Sequence, residues 1–132
     1  MIVEVNAAVR LLLASIPYYD GQVPNEPSFP YRVLRMGAGN ETAERLCGTS
    51  GRADFRFYIT SVGLSATAVE IVADAARSLL IDVRPVVAGR VCTPIRRESS
   101  IPIQEDRDVT APGNNAHPMF GVDTYSFTSR KD

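Results

Sequence analysis

From Arg52 to Val62 the chain alternates apolar and polar side chains, with Phe55, Phe57 and Ile59 set against Arg56, Tyr58 and Thr60. A period of two over that length marks a strand with one buried face. Gly63 closes the run, and from about residue 65 to 80 the period becomes helical. Val69, Val72, Ala73, Ala76, Leu79 and Leu80 fall on one side there, Glu70, Asp74 and Arg77 on the other. Ser65 or Thr67 can cap this helix, Thr67 with Glu70 in a capping-box relation. A half-buried strand running into an alanine-rich amphipathic helix has to build a helix-on-sheet layer.

The rest of the chain completes that layer. Val5, Val9, Leu12, Leu13 and Ile16 recur at helical spacing and predict an amphipathic helix over about 3–16, stopped before Pro17. A loop over 17–30 carries prolines 17, 24, 27 and 30, and Tyr31 to Met36 then reads as a strand. A second loop, 37–51, leads into the alternating strand. After the central helix, Pro85 and Gly89 bracket a short apolar piece, and Val91 to Arg97 is the next predicted strand. A third loop over about 98–118 holds Pro102, Pro112, Gly113, Pro118 and the charged run Glu105-Asp106-Arg107-Asp108. Met119 to Ser129 closes the chain as a strand, with Phe120, Val122 and Thr124 opposite Asp123, Tyr125 and Phe127. The expected fold is one α+β domain over 1–132, a mixed or antiparallel sheet of about four strands packed under two helices, with long loops or arms. At 132 residues there is room for one core and no second domain.

Charge excludes several function classes. The 14 basic and 15 acidic side chains leave a formal net charge of -1. They are balanced along the chain, so no basic stripe offers itself to nucleic acid or to an anionic membrane. No run approaches the roughly 20 apolar residues that span a bilayer, and Glu4 and Arg10 spoil a signal peptide at the N-terminus. Two cysteines, Cys47 and Cys92, are too few for a disulfide framework and are not spaced as a metal knuckle, which is consistent with a reducing compartment.

Chemical motifs are equally sparse. His117, the single histidine, lies in a proline-rich loop with no supporting nucleophile motif around Cys47, Ser50 or Cys92. Cys47-Gly48-Thr49-Ser50-Gly51 lacks the Lys-Ser/Thr of a phosphate loop and the flanking glycine spacing of a nucleophile elbow, so it reads as a turn. Residues 105–108 lack the glycine and terminal glutamate of a calcium loop and read as a solvated or inter-subunit salt-bridging segment. No catalytic residue, cofactor site or metal site is assigned.

Arginine is the informative residue, because 13 of the 14 cations are arginine. Arg32, Arg35, Arg52, Arg56, Arg96 and Arg97 stand on or beside predicted strands, among Tyr31, Phe55, Phe57 and Tyr58. Arginine and aromatic residues are enriched at protein interfaces, where lysine is depleted. Codon usage in a GC-rich genome raises arginine over lysine too, but it does not account for three loops that together take some 50 residues. Loops of such length in a compact domain are usually functional or disordered, and proline stiffens two of these into extended arms.

Phe29-Pro30-Tyr31-Arg32-Val33-Leu34, the strand RADFRFYITSVG from Arg52 to Gly63 and the helix LSATAVEIVADAARSLL from Leu64 to Leu80 resemble the tail terminator (tail completion, minor tail) proteins of long-tailed bacteriophages. The segment Val86-Val87-Ala88-Gly89-Arg90, the proline-rich stretch after it and the closing strand through Val122-Asp123-Thr124-Tyr125 are similar to members from phages of high-GC hosts. That resemblance implies a non-enzymatic virion protein, made in the host cytoplasm and incorporated at the tail or neck. It implies a hexameric ring that caps the tail tube, stops its polymerisation and meets the head-tail connector, while DNA passes through without specific binding. A closing ring needs two different complementary side surfaces on each subunit. The residues expected at subunit or tube contacts are Phe29, Tyr31, Arg35, Arg52, Arg96, Arg97, Glu105, Asp106, Arg107 and Asp108, with Glu70 and Asp74 exposed or facing the channel. The alternatives are a neck or head-closure ring of the same virion and, in a different class, a small cytosolic ligand-binding or enzymatic α+β domain.

Overall fold

A computed structural model describes residues 2–25, 27–37, 39–42, 52–109 and 117–131. The turn expected at Cys47–Gly51, with Ser50, and the loop residues Pro112 and Gly113 lie outside that set. The described elements are α1 (Ile2–Leu12), β1 (Tyr19–Asp20), β2 (Tyr31–Met36), β3 (Asn40–Thr42), β4 (Arg52–Gly63), α2 (Ala66–Leu80), β5 (Arg90–Cys92), β6 (Arg96–Glu105) and β7 (Met119–Lys131). They form an α+β fold in which two helices cover one mixed sheet.

The sheet runs β1-β2-β4-β7-β5, with β3 also on β4 and β6 also on β7. All pairings are antiparallel except β1 with β2. Three of the four expected strands appear as β2, β4 and β7. The sheet has seven strands instead of about four, because β6 forms mostly from residues expected in a loop and β1, β3 and β5 add short pieces of two or three residues. The alternation in β4 does what its period dictates. Ala53, Phe55, Phe57 and Ile59 are buried while Arg52, Asp54, Arg56 and Tyr58 are exposed. β7 answers it, because Phe55 pairs with Phe127 and Phe57 with Tyr125. The rings stack at centroid distances of 5.4 and 5.3 Å, the cross-strand aromatic pairing that stabilises antiparallel sheets. α1 adds Val5, Ala8 and Val9 to this cluster and α2 adds Ala76 and Leu80.

Several boundaries differ from the sequence expectation. α1 stops at Leu12 instead of 16, and the next residues form tighter i→i−3 turns, with Leu13, Ala14 and Ile16 donating to Arg10, Leu11 and Leu13. The loop over 17–30 contains β1, held in parallel against Val33 and Leu34, and the loop from 37 contains β3. The single strand expected over Val91–Arg97 is two strands, interrupted at residues 93–95 where Ile95 turns into the core. The largest correction concerns the third loop. Residues 98–105 belong to β6, which pairs along β7 with register shifts between Arg97 and Ser99 and between Ile101 and Gln104. Pro102 falls inside the second irregularity, where a missing N–H costs no ladder bond.

α2 begins at Ser65, whose hydroxyl accepts a hydrogen bond from the Ala68 N–H at 3.2 Å. The cap is therefore Ser65 and not Thr67. Ser65→Ala should lower stability by about 1 kcal/mol, the usual cost of losing such a cap, with Thr67→Ala nearly silent by thermal unfolding. Gly63 makes the β4–α2 connection possible, since a Cβ there would lie 2.8 Å from Ala68 Cβ and 3.2 Å from the Val69 nitrogen. Beyond the helix Asp82 adopts a left-handed φ of 64°, and its N–H donates to the Ile95 carbonyl at 2.9 Å. That bond ties the end of α2 to the segment leading into β6.

Candidate assembly interface

The expected contact residues are distributed over several surfaces. β4 turns one face toward the helices and leaves the other exposed at Arg52, Asp54, Arg56 and Tyr58, as β2 does at Arg35. The register places Arg35 beside Tyr58, and Arg96 beside Ser126, which in turn pairs with Arg56. Arg35 donates from Nη1 to Thr60 Oγ1 at 3.1 Å, and Arg56 meets Glu98 at 2.9 Å. Around them lies a polar groove of about 530 Å³ whose walls include Asp54, Arg56, Tyr58, Arg96 and Glu98.

Phe29 and Tyr31 sit at the arm's return to the sheet. Their rings lie 5.4 Å apart, and Tyr19 meets Tyr31 edge-on at 5.7 Å. Burial raises the Tyr31 phenol above its usual range, and the nearby charge of Asp106 adds to it. The arm and the far end of β6 thus come together. There the Asp106 N–H donates to the Pro118 carbonyl at 2.8 Å, the Asp108 N–H to Asp106 Oδ1 at 3.2 Å, and Arg107 lies 3.6 Å from Glu105. His117 is in the same corner, its Nδ1 2.6 Å from the Val109 carbonyl oxygen. That contact gives the histidine a structural tie.

Arg97 and Arg52 lie elsewhere. Arg97 is 3.8 Å from Asp123 on the helix-covered side, and Arg52 is 3.7 Å from Asp54 at the start of β4. Glu70 and Asp74 are exposed along α2. With Ile71, Ile101 and Ile103 they line a cleft of about 460 Å³ between α2 and β6, floored by Arg77 and Asp123. Those two form a paired salt bridge, Nε to Oδ2 and Nη2 to Oδ1, both at 2.9 Å.

Arg32 departs from the interface reading. It is 9% exposed, and donates from Nε to the Val72 carbonyl at 3.0 Å and from Nη1 to the Pro17 carbonyl at 3.1 Å. It joins α2, β2 and the start of the arm within one subunit, and burial lowers its pKa. Sequence reasoning missed a second charged surface at the end of β7. Arg52, Arg84, Val91 and Arg130 line a cleft of about 330 Å³ there. No local signal joins Arg84 to Arg130, 46 residues apart, and only the β5–β7 pairing brings their segments together.

Among the described residues no group of three or more His, Cys, Asp or Glu side chains is placed to hold a metal, and no helix is long and apolar enough to cross a membrane. Cys92 is buried and free. Tyr125, whose phenol is raised furthest and chiefly by burial, is a fully buried core residue.

The order of elements, the two helices and the strand arrangement can be compared with known proteins. One chain of a solved virion has this fold. In the structure of the virion of a native gene transfer agent particle, it superposes with a TM-score of 0.59 at 12% identity, covering 98% of this chain and 94% of that one. A second solved chain matches with a TM-score of 0.57 at 15% identity, over 95% of this chain and 94% of its own length. No family model matches the chain, and no curated protein matches it in sequence. At such identities the likeness is one of fold.

Proposed function

We propose that this chain is a structural subunit of a phage-like virion, and that it forms the closed ring that ends the tail tube and joins it to the head connector. The observation that carries the reading is the fold shared, over almost the full length of both chains, with a component of a gene transfer agent virion. The chemistry of the surface supports a structural role. Its clefts are open to solvent, and ion pairs such as Arg56–Glu98 and Arg77–Asp123 tie its elements together. A formal charge of -1 per subunit suits a ring that DNA must slide through, because binding by phosphate neutralisation needs an excess of basic side chains.

The test is electron microscopy of particles assembled without this protein, then with it restored. Tail tubes of uncontrolled length, corrected by the wild-type chain, are the expected result. Tubes of normal length that fail to join heads would overturn the terminator role and favour a neck ring. Normal, joined particles would overturn the virion reading altogether.

A further inference from the structure

We propose that neighbouring copies in the ring join head to tail, the basic end of β7 on one copy seated in the acidic cleft between α2 and β6 on the next. The proposal rests on the ring reading above and assigns its two side surfaces.

The cleft is shaped for a partner that is both apolar and cationic. Ile71 is 66% exposed and Ile101 48%, and Glu70 and Asp74 flank Ile71 one position before and three after it. On the floor Arg77 is bonded to Asp123, Arg97 lies 3.8 Å from Asp123, and Arg77 is also attracted by Asp74. Glu70 and Asp74 are thus the exposed acidic groups of the cleft, above a floor that carries cations of its own. Among the described residues no cation lies within ion-pair distance of either.

The other end of the subunit has the opposite character. Arg84 and Arg130 are exposed and have no acidic partner among the described residues, and Lys131 follows Arg130. Val91 pairs with Arg130 and is 39% exposed, while Val86, two residues beyond Arg84, is 88% exposed. Two unpaired arginines beside two exposed valines match two unpaired carboxylates beside two exposed isoleucines.

Position favours this contact over a two-fold one. Asp123 floors the acidic cleft and Arg130 lines the basic one, and both belong to β7. Seven residues of strand separate them by roughly 23 Å at about 3.3 Å per residue. Asp123 lies on the buried side of β7 with Tyr125, Phe127 and Ser129, and Arg130, at odd spacing from it, points to the other side of the sheet. The two patches therefore face different ways, as the two side surfaces of a heterologous contact do, the type that closes into rings.

Charge reversal tests the assignment. Glu70→Arg with Asp74→Arg, and separately Arg84→Glu with Arg130→Glu, should each weaken association between copies by about a hundredfold or more, the scale of juxtaposed like charges. The quadruple variant, with both surfaces reversed in one chain, should recover assembly. Association is read by light scattering of the free protein and by capping of purified tail tubes, and thermal unfolding checks that each variant is folded. Glu70→Gln with Asp74→Asn supplies a milder pair should reversal disturb α2. A wild-type ring that the variants leave intact overturns the contact alone. Loss in the basic-end variant only, with the acidic variant unaffected, gives that end a different occupant, DNA or tube, and also overturns it. A wild-type chain that stays monomeric even on tubes overturns the ring reading together with the contact.

Discussion

Phe57→Ala should destabilise the subunit by about 3–5 kcal/mol, the range for removing a large aromatic side chain from a packed core. Phe57 is wholly buried on β4, which lies between β2 and β7. Its ring stacks on Tyr125 at 5.3 Å and 16°, and meets Phe127 edge-on at 6.3 Å. Truncation therefore removes transfer free energy, opens a cavity and ends two aromatic contacts, each worth about 0.5–1.5 kcal/mol beyond burial. A domain of this size has about 5–15 kcal/mol in total, so the loss should appear as a fall of about 10–20 °C in the unfolding midpoint. Tyr58→Ala is the control, since Tyr58 is the next residue, on the open face, and 39% exposed; its effect should stay below about 1 kcal/mol. If Phe57→Ala does not fold at all, Phe57→Leu keeps part of the volume and should show a smaller loss. Equal effects at residues 57 and 58 would contradict the assignment of faces on β4.

That contrast also explains which parts of the fold were legible in the sequence. β4 and α2 are half-buried elements, so burial imprints its period on them. In β4 every second residue enters the core, and α2 carries its buried stripe at helical spacing with a serine cap in front. β6 has no such imprint. It pairs on one side only, along β7, and nearly all its residues are exposed, so Glu98-Ser99-Ser100 and Pro102 have the composition of a loop while the backbone is held as a strand. β1 is two residues long, and no propensity argument operates over that length. Adjacency is a further gap. β4 and β7 form the longest pairing in the sheet though more than 50 residues separate them in sequence, and the pattern of either strand is satisfied by any apolar partner.

The candidate surfaces were legible to the same degree and for the same reason. Helical periodicity places Glu70 and Asp74 on the polar side of α2, where the structure also has them. It cannot show that Ile71 between them faces Ile101 on a strand 30 residues later. Arginines raise a further ambiguity, because a guanidinium can serve an interface or a core with the same residue type. Arg32 is spent within the subunit on two carbonyls, whereas Arg84 and Arg130 remain outside. Only tertiary position separates those uses.

Arg77→Met should cost about 3 kcal/mol, through the carboxylate that it leaves behind. Asp123 has a side chain only 5% exposed, and its two oxygens accept from Nε and Nη2 of Arg77. Removing one member of a buried pair strands the other charge, at about 3–5 kcal/mol. The Arg77 side chain is 33% exposed and Arg97 reaches to 3.8 Å of Asp123, so the lower end of that range applies. Hydrogen bonds to Asp123 raise the guanidinium pKa. A raised folded-state value means that this stabilisation is present below the unfolded pKa and lost only as pH rises through the folded one, above any pH used for unfolding. The effect of the substitution should therefore be nearly the same at pH 7 and pH 9. Adding Asp123→Leu to Arg77→Met should recover most of the loss, because apolar replacement of both partners removes the stranded charge. Chemical denaturation of the two single variants and the double variant measures the coupling directly. Additive losses would show that the pair is not coupled. Since Arg77 joins α2 to β7 beneath the cleft carrying Glu70 and Asp74, the double variant also separates fold from assembly. Its stability should return, and its association with neighbouring copies should return with it if the cleft acts through Glu70 and Asp74 and its floor acts only as support.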